Sequence, residues 1–194
     1  MRSSIRKKLT ACFRREFQPR FPQFAPALKD RNFWTWAYEI APNLTFFIAL
    51  QAFDRYDEFV IEVAWSEDGE YPWQHSGQIE VDRPMGRERV GVFFKTGPRE
   101  VTWNLAPEAT AAIREANEAR VRGERVNYQF DPPIEVVLPR VEPMVRDAIE
   151  KLEQYGVPLF RRVAEARKLD WPSSVACPGP ADVDYRAEGQ DTAK

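Results

Sequence analysis

The chain has 194 residues, of which 43% are hydrophobic and 30% charged, with 28 Lys and Arg against 30 Asp and Glu and a single histidine. That is the length of one ordinary domain, with enough apolar residues for a core. A net charge of −2 argues against a dedicated nucleic-acid binder, and two cysteines, Cys12 and Cys177, argue against a disulfide framework and for a reducing compartment.

Residues 2–17 place Ile5, Leu9, Cys12, Phe13 and Phe17 at helical spacing, with basic residues on the other faces. Ser3 or Ser4 is the expected cap, and Pro19 and Pro22 the expected stop. The start of the chain is basic, but no apolar stretch of a secretory leader follows it. Nor does any run approach the about 18–20 apolar residues of a membrane span, so the expectation is a soluble cytoplasmic protein. Residues 18–32, rich in Pro and Phe, read as irregular, with Phe21 and Phe24 pinning the loop to the body.

Asn32 to Glu39 alternates, with Trp34, Trp36 and Tyr38 on one side, and reads as a first strand. Leu44 to Ser66 is two apolar runs around the polar insert 54–58, the pattern of a hairpin at the centre of a sheet. Its first strand is apolar on both faces, which implies cover on two sides. The second puts Phe59, Ile61, Val63 and Trp65 on one face and Val60, Glu62 and Ala64 on the other. Residues 67–86 read as a long polar loop, functional or mobile. Two more strands are expected at 89–94 and 101–105.

The second half reads as helical. Pro107 opens a helix that runs to about Arg122 and stops at Gly123. Ile134 to Leu138 reads as a short strand. Pro139 to Tyr155 is a helix with Val141, Val145, Ala148, Ile149 and Leu152 on one face, ended by Gly156, and Pro158 starts the next. From Pro172 the composition turns to Pro, Ser, Gly, Ala and Asp, so residues 172–194 read as a disordered tail behind a single domain over 1–171.

Most catalytic constellations are missing from the sequence. One histidine precludes a two-histidine metal site within the chain, and there is neither a phosphate-binding glycine loop nor a nucleophile elbow. No metal and no cofactor is implied. His75 lies in the 67–86 loop and reads as a solvated histidine, or as a general base with Glu62 or Glu80. Glu62 either points to solvent from an amphipathic strand or, if its face is buried, needs a partner that Arg87 and Arg89 could supply. The tryptophans read as core, with an alternative in which Trp34, Trp36 and Trp73 form a contact platform. The seven basic residues through Arg20, against Glu16 alone, read as a solvent face or as a contact for anionic lipid or nucleic acid.

The order of basic helix, aromatic strands and a final helix pair joined by Gln154-Tyr155-Gly156-Val157-Pro158-Leu159-Phe160 resembles small bacterial α+β domains of unknown function. Those domains carry Phe-rich strands and a GxPxF-like helix joint. The resemblance rests on residues 44–66 and 148–163 and implies no activity and no catalytic residues. By analogy, some small bacterial proteins of this look are toxin-neutralising immunity proteins.

The expected fold is α+β: an antiparallel sheet of about five strands with an N-terminal helix and C-terminal helices packed mainly on one face. The expected function is a non-enzymatic bacterial interaction module that binds another protein, with no membrane partner and nucleic acid disfavoured. Contact candidates are Trp73, His75, Arg87 and Arg89. The alternative is a small-molecule binder or enzyme with Glu62, His75, Arg87 and Arg89 around a pocket on the sheet.

Overall fold

A computed structural model describes residues 1–53, 56–74, 79–93, 102–125 and 132–172. The fold is α+β. Helix α1 (Ser3–Arg20) leads into six strands, β1 (Ala25–Lys29), β2 (Phe33–Ala41), β3 (Leu44–Ala52), β4 (Glu58–Ser66), β5 (Met85–Arg89) and β6 (Trp103–Asn104). Helices α2 (Pro107–Val121), α3 (Ile134–Lys151) and α4 (Val157–Ala166) follow. The sheet is antiparallel in the order β1-β2-β3-β4-β5, with β6 pairing the start of β4.

The two faces of this sheet explain the two apolar runs. On the inner face, Leu44, Phe46, Ile48 and Leu50 of β3 and Phe59, Ile61, Val63 and Trp65 of β4 join the buried faces of α1, α3 and α4 in one core. Alternation on β2 turns Trp34 and Trp36 to this side as well, where both are buried. Rings then run through the core: Phe13 and Phe17 meet Trp36 at 5.0 Å, and Phe160 of α4 stacks on Phe46 at 4.6 Å. Phe21 and Phe24 close this cluster from the segment after α1. The outer face carries a second, smaller cluster of Phe33, Phe47, Ala49, Ala64 and Tyr71.

Several boundaries depart from the sequence reading. Strand β1 forms in a segment read as irregular. All five of its residues are exposed, so it carries no apolar alternation and exists through pairing with β2 alone. Its register slips between Pro26 and Lys29, and the Leu28 N–H donates to Thr35 Oγ1 at 2.8 Å. Residues 90–93, read as strand, form a 3₁₀ turn.

The N-cap of α1 is Arg2, not a serine, and no side chain of the helix itself caps it. Asp57 supplies the cap from the other end of the sheet: Oδ1 accepts from the Arg2 N–H at 3.0 Å and Oδ2 from Nε at 2.9 Å.

Ile134 to Leu138 is the start of α3 rather than a strand. Proline at 139 hid this, because proline disfavours a helix interior. Here Pro139 and Pro143 lie one turn apart on the exposed side, where water can take the carbonyls they leave unpaired.

Gly156 does not end the helix either. Leu152–Gly156 is a single π turn, and the Val157 N–H reaches back to the Leu152 carbonyl. Pro158 has no N–H to offer the carbonyl four residues back, and the wider turn absorbs that loss. The tail expected over 172–194 lies outside the described residues, Pro172 excepted.

Helix α2 runs over nearly the expected residues, with Gly123 just beyond it at φ 83°. It is tied to α3 by Arg140, whose Nη2 and Nη1 donate to the two Glu108 oxygens at 2.6 and 2.9 Å. These bonds hold the Glu108 carboxyl at a pKa of about 2, below its ordinary 4.5. The folded value is the depressed one, so the pair stabilises above the ordinary pKa and that support fades as pH falls towards the folded one. A carboxylate titration by NMR is expected to place the Glu108 midpoint near 2, and Arg140→Ala to return it to the usual carboxylate range. A midpoint unmoved by the substitution would remove Arg140 as the cause.

Candidate functional site

The register of β3, β4 and β5 builds the site. Glu62 lies between Ala49 of β3 and Arg89 of β5, and Ala64 between Phe47 and Arg87. Period-two alternation sends Glu62, Arg87 and Arg89 to the outer face together. Alanines on either side of the carboxylate leave room for two long guanidinium side chains to cross the sheet.

Glu62 is 0% exposed. Its Oε2 accepts from Arg87 Nε at 2.9 Å and from the Tyr71 hydroxyl at 2.7 Å, and its Oε1 accepts from Arg87 Nη2 at 2.9 Å. Arg89 Nε adds an ion pair to Oε1 at 3.5 Å. This is a fork-to-fork pairing closed by a phenol.

Burial pulls the Arg87 pKa down, but the hydrogen bond to Glu62 and the surrounding negative charge leave it above its ordinary value. Burial, aided by the Glu62 charge, pushes the Tyr71 phenol well up, so it stays protonated and donates.

The third arm of Arg87 positions the loop after β4. Nη1 donates to the Trp73 carbonyl at 2.6 Å, and the guanidinium lies 5.4 Å from the centre of the Tyr71 ring. Tyr71 meets Phe33 edge-on at 5.2 Å and Trp73 at 5.2 Å, and Trp73 meets Phe33 at 5.3 Å. At its far end the loop is held by Arg167, just past α4. Its guanidinium donates to Glu67 and to the carbonyls of Val81, Arg83 and Val163. The Trp65 indole also donates to the Arg83 carbonyl, at 3.1 Å. The described parts of a loop that reads as polar and mobile are therefore anchored at both ends.

The sequence candidates thus fall into two groups. Glu62, Arg87 and Arg89 come together, but as a buried network. Glu62 does not point to solvent, and both its oxygens are engaged. Trp73 stands above the network with 64% of its surface exposed. Trp34 and Trp36 do not join it, because alternation buries them under α1. His75 lies outside the described residues.

Tyr71 is the residue that sequence reasoning missed. It sits in Glu70-Tyr71-Pro72, a loop context with no periodicity to mark it as buried, although an aromatic residue just beyond an acidic turn was an available signal.

Among the described residues no cluster of His, Cys, Asp and Glu has the arrangement of a metal site, and no helix is long and apolar enough to cross a membrane. An open groove of about 790 Å³ lies at the β6 end of β4, lined by Tyr56, Glu58, Asn104, Ile113 and Asn117 among others. It contains none of the candidate residues.

Comparison of the chain with protein-family models, with curated proteins and with solved structures finds no match to any of them.

Proposed function

We propose that this protein is a non-enzymatic interaction module that recognises another protein through Trp73 and the acidic turn before it. The exposure of Trp73 carries the reading. A tryptophan left largely in water keeps a large apolar area available for burial, and tryptophan is enriched among the residues that dominate binding energy. This one is also held in place before any partner arrives, by Arg87 on its carbonyl and by Phe33 and Tyr71 against its ring. A fixed anchor loses little side-chain freedom on binding.

Asp68 and Glu70, both exposed, lie within five residues of Trp73. They suit a partner whose indole pocket has a basic rim. A pocket on the sheet finds less support, because both Glu62 oxygens already accept hydrogen bonds from Arg87 and Tyr71.

The test is affinity capture from the source organism with the tagged full chain and with Trp73→Ala. Retention of one stoichiometric protein is expected, with affinity weakened at least about tenfold by the substitution, or ~1.4 kcal/mol. Because most of Trp73 is exposed and its hydrogen bond to Arg87 is made by the backbone carbonyl, the variant should stay folded, losing only the ring contacts to Phe33 and Tyr71. A partner held equally well by a folded Trp73→Ala would overturn this surface.

A further inference from the structure

The other side of the molecule carries a different kind of surface. Residues 1–32 hold nine Lys and Arg against two acids, whereas the rest of the chain is net acidic. Glu16 is half-buried, whereas Asp30 is exposed between Lys29 and Arg31. Glu16 faces α3, where it takes Arg15 and Arg146, and Asp30 accepts from the Arg31 N–H in its own turn.

Lys7 and Arg14 are seven residues apart and so lie on one face of α1, about 10 Å from each other along its axis. Arg6 Nη1 donates to Asn32 Oδ1 at 2.8 Å and draws the β1–β2 turn against the helix. Lys29 pairs in register with Trp34, whose side chain lies under α1. Lys7, Arg14, Lys29 and Arg31 are all exposed, and none forms an ion pair with a carboxylate among the described residues. The result is two short rows of cations, one on the helix and one flanking the exposed Asp30 on the turn beside it.

We infer that this ridge binds the phosphate backbone of duplex nucleic acid, without reading sequence. The occupant follows from what the ridge lacks. The exposed residues between the cations on α1 are Ser3, Ser4, Ala11, Gln18 and Pro19, with no aromatic or large aliphatic side chain.

A protein partner would gain only surface ion pairs there, each worth about 0–1 kcal/mol. A single strand binds through stacked aromatic residues, and the ridge offers none. A bilayer needs a second anchor beside a polybasic patch, but Ile5, Leu9, Phe13 and Phe17 are all in the core and cannot insert. A duplex carries about one charge per 1.7 Å of axis and releases condensed counterions when cations approach, so charge alone suffices.

The test is fluorescence anisotropy of the full chain on a labelled mixed-sequence duplex across a salt series. Binding is expected at low salt, with log K falling against log salt at a slope of about −3 to −4 for four phosphate contacts. Lys7→Glu/Arg14→Glu/Lys29→Glu/Arg31→Glu should abolish it while keeping the wild-type melting temperature. Arg114→Glu/Arg125→Glu, on exposed α2 and its end, should leave binding unchanged. No binding at low salt, equal loss in both variants, or tighter binding to phosphatidylserine vesicles than to the duplex would each overturn the inference. Trp73→Ala should not alter duplex binding, so this ridge and the Trp73 surface fail or stand separately.

Discussion

Glutamine in place of Glu62 is expected to destabilise the fold by about 3–5 kcal/mol. The amide keeps the shape of the carboxylate but removes its charge and turns one acceptor into a donor. Arg87 and Arg89 then share a buried face with no anion between them, and the Tyr71 hydroxyl competes for the remaining oxygen. The cost comes from the guanidinium groups left behind more than from the bond removed, since a buried ion pair is often no more stabilising than apolar residues of equal volume.

A double-mutant cycle separates the two effects. Glu62→Gln/Arg87→Gln should cost less than the sum of the two single variants by about 2 kcal/mol. Chemical denaturation measures all three. A loss below about 1 kcal/mol in Glu62→Gln would mean that the network is solvated and weak. The same variant should also loosen Trp73, whose carbonyl depends on Arg87, and its emission should shift towards that of a fully hydrated indole.

Gly86→Ala is the second large effect. Gly86 pairs with Trp65 across β4 and β5, and the indole lies over it. A Cβ at this position would stand 2.2 Å from Cζ2 and 2.3 Å from Cη2 of that ring. The indole cannot retreat without breaking its hydrogen bond to Arg83 and disturbing a core in which it is 1% exposed. A loss of about 3 kcal/mol is expected, at the upper end for overpacking. Trp65→Leu removes the obstacle, so Gly86→Ala should cost little more in that background. Equal cost in both backgrounds would show that the strain lies in the backbone rather than against the ring.

The legible and illegible parts of this chain divide along physical lines. Strands β2, β3 and β4 announced themselves, because alternation and β-branched or aromatic residues reflect burial on one face or both. The doubly apolar β3 was legible as a strand covered on both sides. Strand β1 was not, because exposed Ala, Pro, Leu and Lys carry no period; its cause is pairing with β2 across the short turn 30–32, and nothing in a Pro- and Phe-rich stretch marks that hairpin.

In α3, Pro139 reads as a boundary because proline usually is one. Nothing local reveals that the carbonyls it frees face water. At the candidate site, the sequence suggested that Arg87 and Arg89 could partner Glu62. It did not reveal that the loop would fold back to seal the cluster with Tyr71, nor that Arg167, a hundred residues on from Glu67, would hold the loop's other end.

The irregular edge of the sheet at β1 limits how this protein can associate. A regular edge strand offers a row of amides and carbonyls on which another chain can add itself, whether a partner peptide or a misfolded copy. Pro26 withholds one amide, and the slipped register directs the Leu28 amide back to Thr35. Main-chain zippering is therefore blunted along this border, which lowers the risk of ordered aggregation there. Recognition at β1 is left to side chains, which can discriminate between partners in a way that a bare backbone ladder cannot.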